Sequence, residues 1–211
     1  MRAVEAGISI GANGGILVHA YRRDRHSGAG NCVCGRHEGH QIHIADAEQA
    51  KSTGGMAALL PRRDDAHHLV VRQGEPLDDL HLTLVYLGED VTSIPGGDLP
   101  PALASVADQF PALDARVFGH AIFNPDGFKD RDPALVYLVG DSEDLSALQQ
   151  ATERACCDVF PLPEQHKPFI PHITAGYNLP PDCLNFTGGI VFDRMVLEFA
   201  GETTTFPLIT M

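Results

Sequence analysis

The chain has 211 residues, of which 44% are hydrophobic and 20% are charged. This composition predicts a globular core and excludes a wholly disordered chain, and no run of 18 apolar residues is present that would predict a transmembrane helix. The net charge of −13 argues against a protein that binds long nucleic acid through its overall field, because neutralising phosphates requires cations. A small nucleotide held by a few local donors remains compatible with this charge.

Composition divides the chain near residue 55. Residues 1–55 contain 6 basic residues (Lys and Arg) and 5 acidic residues (Asp and Glu). Residues 56–211 contain 9 basic and 23 acidic residues. The first segment also carries 10 of the 21 glycines and 5 of the 11 histidines, with little helical or strand periodicity. We therefore predict an N-terminal appendage over 1–55 with little core of its own, followed by one domain over 56–211.

Beyond residue 55, segments typical of strands and of helices alternate. In chain order, the pattern predicts a strand over 56–61, a helix over 64–72, a strand over 80–87, a helix over 99–110, strands over 116–123 and 134–139, a helix from an N-cap at Ser142 to about 159, and strands over 169–177, 189–199 and 203–209. Strands separated by helices, with paired strands at the end, indicate an α+β fold with antiparallel sheet.

Five cysteines are present, and Cys156 and Cys157 are adjacent in sequence. An odd number leaves one thiol unpaired, and adjacent cysteines rarely bridge each other. We therefore expect no disulfide framework and a reducing, cytoplasmic location.

A repeated motif carries the chemistry of the chain. The segments HLTLVY, starting at His81, and HITAGY, starting at His172, share the pattern His-x-Thr-x-x-Tyr. Each lies in a predicted strand that follows a strand and a helix, which is typical of a duplicated strand–helix–strand unit. The duplicated context favours a catalytic interpretation, whereas a single such histidine is more often a structural hydrogen-bond partner.

Alternation along a strand assigns faces to the motif residues. In each copy, the His and the Thr project on one face, and the Tyr, an odd number of positions away, projects on the other. Tyr86 and Tyr177 are therefore predicted to pack into the core. If the two halves pack about a pseudo-twofold axis, two His and two Thr converge on one cleft.

Two histidines and two threonines suit phosphodiester chemistry. An unperturbed imidazole titrates near pH 6.5, so one His can take a proton from the attacking oxygen and the other can protonate the leaving oxygen. Each Thr hydroxyl can donate to a non-bridging phosphate oxygen. The residue pattern does not decide which His is the acid.

The motifs HLTLVYLG and PFIPHITAGY resemble those of the 2H phosphoesterase superfamily, which includes 2′-5′ RNA ligase-like proteins and 2′,3′-cyclic phosphodiesterases. The resemblance covers about 56–211. It implies a bilobal α+β fold, with two pseudo-symmetric strand–helix–strand halves and antiparallel sheets around a central cleft, and catalysis without a metal or other cofactor. It also implies a catalytic tetrad: His81, Thr83, His172 and Thr174. Ala175 and Gly176 stand where the family has bulkier apolar residues, which is expected to loosen the packing behind the site.

Three further residues near the motifs are candidates for substrate binding. Arg62 and Lys167 lie beside predicted strands and could contact phosphate, although surface cations are usually only solvated. Phe123 lies on a strand that the family resemblance places near the cleft. Its ring could stack on a base, with core packing as the alternative.

The N-terminal appendage contains a cluster of candidate metal ligands. The five candidates are Cys32, Cys34, His37, His40 and His43. Any four of them could close a tetrahedral, purely structural zinc site. The Cys-x-Cys spacing is tighter than usual for zinc, and the alternative is a solvent-exposed His-rich loop. The segment resembles a Cys/His segment of actinobacterial-phage head-morphogenesis proteins, which implies a phage or prophage origin.

Two functions follow from these predictions. The first is a metal-independent phosphodiesterase acting in the cytoplasm, including a host cytoplasm, on a small nucleotide or short RNA with a cyclic or 2′-linked phosphate. The second is a virion-associated or binding module that keeps the fold and uses its appendage to join a phage head protein. Neither function involves a membrane, and the complete pair of motifs favours the enzyme.

Overall fold

The computed structural model describes residues 5–10, 16–21, 52–125, 132–140 and 142–210. The chain forms two compact units, Met1–Lys51 and Ser52–Met211. In the first unit, β1 (Glu5–Ile10) pairs antiparallel with β2 (Ile16–Tyr21). The sequence analysis missed this hairpin, because composition averaged over 55 residues concealed two runs of six residues each.

The second unit contains every element predicted for it. The strands described there are β3 (Gly55–Pro61), β4 (Leu82–Gly88), β5 (Leu113–Phe123), β6 (Ala134–Gly140), β7 (His172–Tyr177), β8 (Gly188–Phe199) and β9 (Glu202–Pro207). The α-helices described there are α1 (Arg63–Ala66), α2 (Leu99–Ala107) and α3 (Glu143–Val159). In the described residues, no helix is long and apolar enough to span a bilayer.

Several elements differ in length from the prediction. The strand predicted over 116–123 begins at Leu113, and the helix predicted over 99–110 ends at Ala107. The helix predicted over 64–72 ends at Ala66, where the chain turns so that Leu69 becomes fully buried. The strand predicted over 169–177 begins only at His172. Pro168 and Pro171 precede it, and neither has the N–H that a central ladder requires.

All pairings between the strands named above for the second unit are antiparallel, which confirms the predicted α+β fold class. The sheet order is β4-β3-β8-β5-β6-β7, and β9 pairs with β8. The 12-residue strand β8 joins the halves, since its first part pairs with β5 and its second part with β3. The two motif strands, β4 and β7, lie at opposite ends of this order and still contact each other. The sheet therefore curls until its two motif strands meet.

The helices cover one face of the curled sheet. α3 packs against β4 and β5, α2 packs against β8 and β9, and the two helices contact each other. Their buried side chains, such as Leu103 on α2 and Leu148 on α3, join a core rich in Leu and Val. Burying each such side chain contributes roughly 1.5–3 kcal/mol. The opposite face of the sheet is left for the motif residues.

Candidate active site

A β-bulge in the first motif changes the face on which its tyrosine lies. Thr83 is opposite Ala58 on β3, and Tyr86 is opposite Met56. Ala58 and Met56 are two residues apart and share a face, so Thr83 and Tyr86 share a face as well. The extra residue, Leu84, forms the bulge. The prediction that Tyr86 packs into the core is wrong, and its side chain is 39% exposed.

The second motif carries the same bulge at the same position. Thr174 is opposite Val136 and Tyr177 is opposite Ala134, so Ala175 is the extra residue. Tyr177 therefore lies on the face of Thr174 and is 51% exposed, again contrary to the predicted core packing. In both copies, the bulge directly follows the threonine. The repeat thus places His, Thr and Tyr on a single face of each strand.

The two catalytic candidates His81 and His172 are held in the same way. Nδ1 of His81 lies 2.7 Å from the carbonyl oxygen of Asp79, and Nδ1 of His172 lies 2.7 Å from the carbonyl oxygen of Ile170. A carbonyl oxygen can only accept, so each Nδ1 carries the proton in this geometry. Nε2 then carries a lone pair that accepts a proton when the ring is neutral, and an N–H that donates a proton when the ring is protonated. Each imidazole can therefore give or take a proton through Nε2.

The threonines of both motifs are partly buried on the same face as the histidines. The hydroxyl of Thr83 has a weak contact with Met56, at 3.8 Å from Oγ1 to Sδ. Ala58 lies opposite Thr83 on β3 and Val136 lies opposite Thr174 on β6, and both are fully buried without belonging to the helix-covered core. Neither apolar side chain offers a hydrogen-bond partner to the threonine hydroxyl beside it.

The surroundings of His172 favour its neutral form. Burial lowers the pKa of His172 below its ordinary value of about 6.5, and the hydrogen bond to Ile170 acts in the opposite direction. Positive charge on the neighbouring His81 and His166 lowers the pKa of His172 further. The imidazole of His172 is therefore suited to accept a proton at neutral pH.

Carboxyl groups lie on the side of His81. Burial raises the pKa of Glu75, and the charge of Asp79 adds to this, whereas the charge of His81 opposes it. Burial also raises the pKa of Asp79, again against the charge of His81. The two histidines thus differ in surroundings, with acidic groups beside His81 and a third imidazole beside His172.

The segment before each motif is bonded to the strand of the other motif. Before the first motif, the backbone N–H of Glu75 donates to the carbonyl oxygen of Ala175 at 2.8 Å. Before the second motif, Gln165 accepts from the backbone N–H of Tyr86 at 3.0 Å and donates to the carbonyl oxygen of Tyr86 at 2.9 Å. The Gln165 side chain thereby acts like a paired residue on the edge of β4. These crossed hydrogen bonds fix the two motifs relative to each other.

The small residues after Thr174 are needed for this crossing. A Cβ on Gly176 would come within 2.9 Å of the Cα of Gly74, and Ala175 is 1% exposed. The expectation that Ala175 and Gly176 loosen the packing is therefore wrong. Their small size lets the backbone of the first segment contact β7 directly.

The three predicted substrate-binding residues differ in whether they contact a motif. The ring of Phe123 packs against the ring of His172, with centroids 4.7 Å apart. The side chain of Lys167 lies 3.5 Å from Glu153 on α3. Arg62 directly precedes α1, and among the described residues no hydrogen bond or ion pair joins its side chain to either motif. The structure thus brings Phe123 into contact with His172, and it pairs Lys167 with Glu153.

The candidate zinc ligands lie outside the described residues, so the proposed zinc site stays a prediction. Sequence reasoning missed Gln165 and the orientation of both tyrosines. The repetition of Tyr at one spacing in both copies was the available signal for the tyrosines. No pattern singled out Gln165, because its role depends on a contact between distant segments.

A model of the 2′-5′ RNA ligase superfamily matches residues 68–193, more than half of the chain and including both motifs. The structure resembles that of TT0787 from Thermus thermophilus, with a TM-score of 0.54 and 21% identity over 74% of this chain and 95% of that one. It also resembles E. coli LigT complexed with 3′-AMP, with a TM-score of 0.49 and 19% identity over 74% and 95% of the two chains. No curated protein matches the chain significantly. The family match confirms the resemblance carried by the two motifs, and the chain belongs to the 2′-5′ RNA ligase superfamily.

Proposed function

We propose that this protein is a metal-independent phosphodiesterase that acts on a cyclic phosphate or a 2′-linked nucleotide, in the cytoplasm. The observation that carries the proposal is the matched pair of imidazoles. Each has Nδ1 2.7 Å from a backbone carbonyl oxygen. His81 directly precedes β4 and His172 begins β7, and these two strands contact each other. Two Nε2 atoms are thereby available for proton transfer at one phosphate.

The roles of the two histidines follow from their surroundings. His172, whose pKa is lowered by burial, is the base. It takes the proton of the attacking hydroxyl or water as the new P–O bond forms. His81 is then the acid, and its Nε2–H protonates the leaving oxygen as the old P–O bond breaks. Each transfer contributes about 10²–10⁴-fold to the rate.

Thr83 and Thr174 donate hydrogen bonds to the non-bridging phosphate oxygens, where negative charge grows during the reaction. The ring of Phe123 packs against His172, and we assign it a contact with the base of the substrate. We assign Lys167 and Arg62 at most a peripheral contact with phosphate. An exposed pair such as Lys167 with Glu153 is worth little and separates readily.

The substrate class follows from what two imidazoles can do. They move protons, so the reactions open to them have a strained electrophile or an internal nucleophile. Water can open a 2′,3′-cyclic phosphate, or a neighbouring ribose hydroxyl can attack a 2′-linked phosphodiester. The net charge of −13 favours small substrates over long nucleic acid.

The test is turnover of 2′,3′-cyclic AMP and of a 2′-5′-linked diadenosine phosphate in the presence of EDTA. We expect activity with chelator, and a fall of at least about 10²-fold in His81→Ala and in His172→Ala with the fold retained. The double variant should lose little more than either single variant, because the two groups act as a unit. Inactivation by EDTA that Zn²⁺ or Mn²⁺ reverses would show metal catalysis instead. Absence of turnover on every phosphodiester tested would favour the binding-module alternative.

A further inference from the structure

An arginine outside both motifs lies on the motif face of the sheet, in the same row as His81. Leu60 on β3 is opposite Arg194 on β8, and the register of β3 with β4, continued by one residue, places Leu60 beside His81. Arg194 and His81 are therefore two strand spacings apart, which is about 10 Å between their backbones. Met195, the next residue after Arg194, belongs to the helix-covered core, so Arg194 lies on the opposite face.

A cavity of about 100 Å³ adjoins this row. Leu60, which separates Arg194 from His81 in the sheet, forms part of its wall, and so does Leu80, the residue directly before His81. The cavity therefore lies beside the first motif. A volume of this size holds several water molecules or one phosphate group, since a single water needs about 10–15 Å³.

The charged groups in the wall of this cavity are two guanidinium groups and one carboxylate. They belong to Arg63, Arg194 and Asp78, which gives the wall a net charge of +1. The whole chain carries a net charge of −13. A locally positive wall in a negatively charged protein makes this cavity a favourable place for a small anion.

Both guanidinium groups are held in place and keep donors for a ligand. Nη1 of Arg63 donates to Asp78 at 3.0 Å, and Nη1 of Arg194 donates to Asp193 at 2.6 Å. Within the ranges that the structure describes, neither guanidinium group makes another hydrogen bond. Because a guanidinium has several N–H donors in a rigid fork, each group can bind an anion without giving up its carboxylate. The side chain of Arg194 is 34% exposed, so an anion bound to it is partly shielded from water.

Phosphate is the anion that the neighbouring site brings to this cavity. The fork of an arginine matches two phosphate oxygens at once. His81 protonates the leaving oxygen, so the leaving nucleoside lies on the His81 side of the scissile phosphate. A phosphate attached to the leaving nucleoside therefore lies toward the cavity, whereas a phosphate on the attacking nucleoside lies toward His172.

We propose that the cavity beside His81 is a second phosphate subsite, in which Arg194 and Arg63 bind a phosphate carried by the leaving nucleoside. This inference rests on the proposed function, because it takes the direction of the reaction from the two histidines. The preferred substrate then has two consecutive phosphates, as in a 2′-5′-linked trinucleotide, a cyclic oligonucleotide or a dinucleotide with a terminal phosphate. A mononucleoside 2′,3′-cyclic phosphate does not fill this subsite.

The test compares three probes by calorimetry, so that binding is measured separately from turnover. Each is a 2′-5′-linked diadenosine phosphate in which the neighbouring 3′-hydroxyl is replaced by hydrogen, which blocks internal attack. The first probe has no further phosphate. The second carries a phosphate on the 2′ oxygen of the leaving adenosine, and the third carries it on the 5′ oxygen of the other adenosine. The second should bind about tenfold more tightly than the first, and the third, with the same charge, should bind within about threefold of the first.

Variants assign the gain to the arginines. Arg194→Gln should reduce the difference between the second and first probes to less than about twofold, and Arg63→Gln should reduce it in part, because the Arg63 side chain is more exposed. Arg154→Gln, an exposed arginine on α3, is the matched control and should keep the full difference. If Arg194→Gln does not fold, the three probes with the wild type and with Arg63→Gln still decide the matter.

A methyl ester on the terminal phosphate of the second probe distinguishes the two sources of the phosphate. If the tighter binding persists, the subsite accepts the next phosphodiester of a longer chain. If only the free terminal phosphate gives tighter binding, the subsite recognises the end of the substrate.

The proposal is overturned if the wild type binds the first and second probes equally, if the third probe gains as much as the second, or if Arg194→Gln folds and keeps the full difference. Failure of the proposed function is a different result. In that case the all-ribose form of the second probe still binds more tightly than that of the first, and the wild type cleaves neither.

Discussion

The histidine at the start of β7 is the residue on which the direction of proton transfer depends. Its ring is packed against Phe123 and bonded through Nδ1 to the carbonyl of Ile170, and burial lowers its pKa. A base with a lowered pKa is already neutral at pH 7, so no proton has to be removed before catalysis begins.

Phe123→Ala should move the acidic limb of the pH profile. The wild-type enzyme loses activity at low pH when His172 becomes protonated and can no longer act as a base. Because its pKa is lowered, this fall in kcat/KM, the acidic limb of the pH profile, should lie below pH 6.5. Removing the Phe123 ring admits water to His172 and should raise its pKa, which shifts the acidic limb to higher pH. Phe118→Ala, on the same strand with a side chain 56% exposed, is the matched control and should leave the limb in place. If the acidic limb of Phe123→Ala is unchanged or moves to lower pH, the assignment of His172 as the base is contradicted.

The same lowered pKa affects stability. Below about pH 6.5 the unfolded chain protonates this imidazole while the folded protein does not. The unfolded state then binds more protons, so the contribution of His172 makes the free energy of unfolding fall as the pH falls from about 6.5 to its lowered pKa.

At the scale of the elements, the two crossed segments hold the motif strands together. Neither segment is a helix or a strand at its point of contact, and both contacts are made to backbone atoms of the opposite motif. The alignment of the catalytic groups therefore depends on hydrogen bonds from segments outside the motifs, and on the small residues Gly74, Ala175 and Gly176.

Gln165→Ala removes both bonds to the backbone of Tyr86. Each such bond contributes about 1 kcal/mol, so the free energy of unfolding should fall by about 1–3 kcal/mol. Turnover should fall as well, because the segment leading to His172 loses its attachment to β4. Gln150→Ala, an exposed glutamine on α3, should change neither quantity. Gln165→Glu keeps an acceptor for the N–H and loses the donor, and should be at least as damaging as alanine. Thermal unfolding and steady-state kinetics measure both effects, and wild-type values for Gln165→Ala would contradict this role.

Gly74→Ala should disturb the other crossing. A Cβ at this position would collide with the carbonyl oxygen of Ala175, which is the acceptor for Glu75. Such overpacking typically costs about 1–3 kcal/mol. Gly97→Ala is the matched control, because nothing lies within 4 Å of its added Cβ. Urea unfolding of the two variants compares them directly, and equal stabilities would show that the first segment does not depend on this close contact.

Pattern reasoning predicted the elements well and the faces less well. Hydrophobic periodicity and turn residues located the strands and helices of the second unit, since these signals are local. The orientation of Tyr86 and Tyr177 was missed because alternation assumes a regular strand, and one inserted residue reverses every face beyond it. The histidines and threonines precede the bulges, which is why their common face was predicted correctly.

At the scale of the whole molecule, the antiparallel α+β class could be predicted, but the path of the sheet could not. The order β4-β3-β8-β5-β6-β7 depends on pairings between residues more than 100 positions apart, such as Leu59 with Met195. The two strand–helix–strand halves also differ, since α1 has 4 residues and α3 has 17. What the halves share is the placement of a His-x-Thr motif and its bulge at each end of one curled sheet.

The central claim is that His172 acts as the base and His81 as the acid at one phosphate. It is tested most directly with a 2′-5′-linked dinucleotide whose bridging 5′-oxygen is replaced by sulfur, because a thiolate leaves without protonation. The account predicts that His81→Ala, inactive on the oxygen substrate, recovers most of the wild-type rate on the sulfur substrate, while His172→Ala stays inactive on both. Recovery by His172→Ala instead of His81→Ala, or recovery by neither variant, would contradict it.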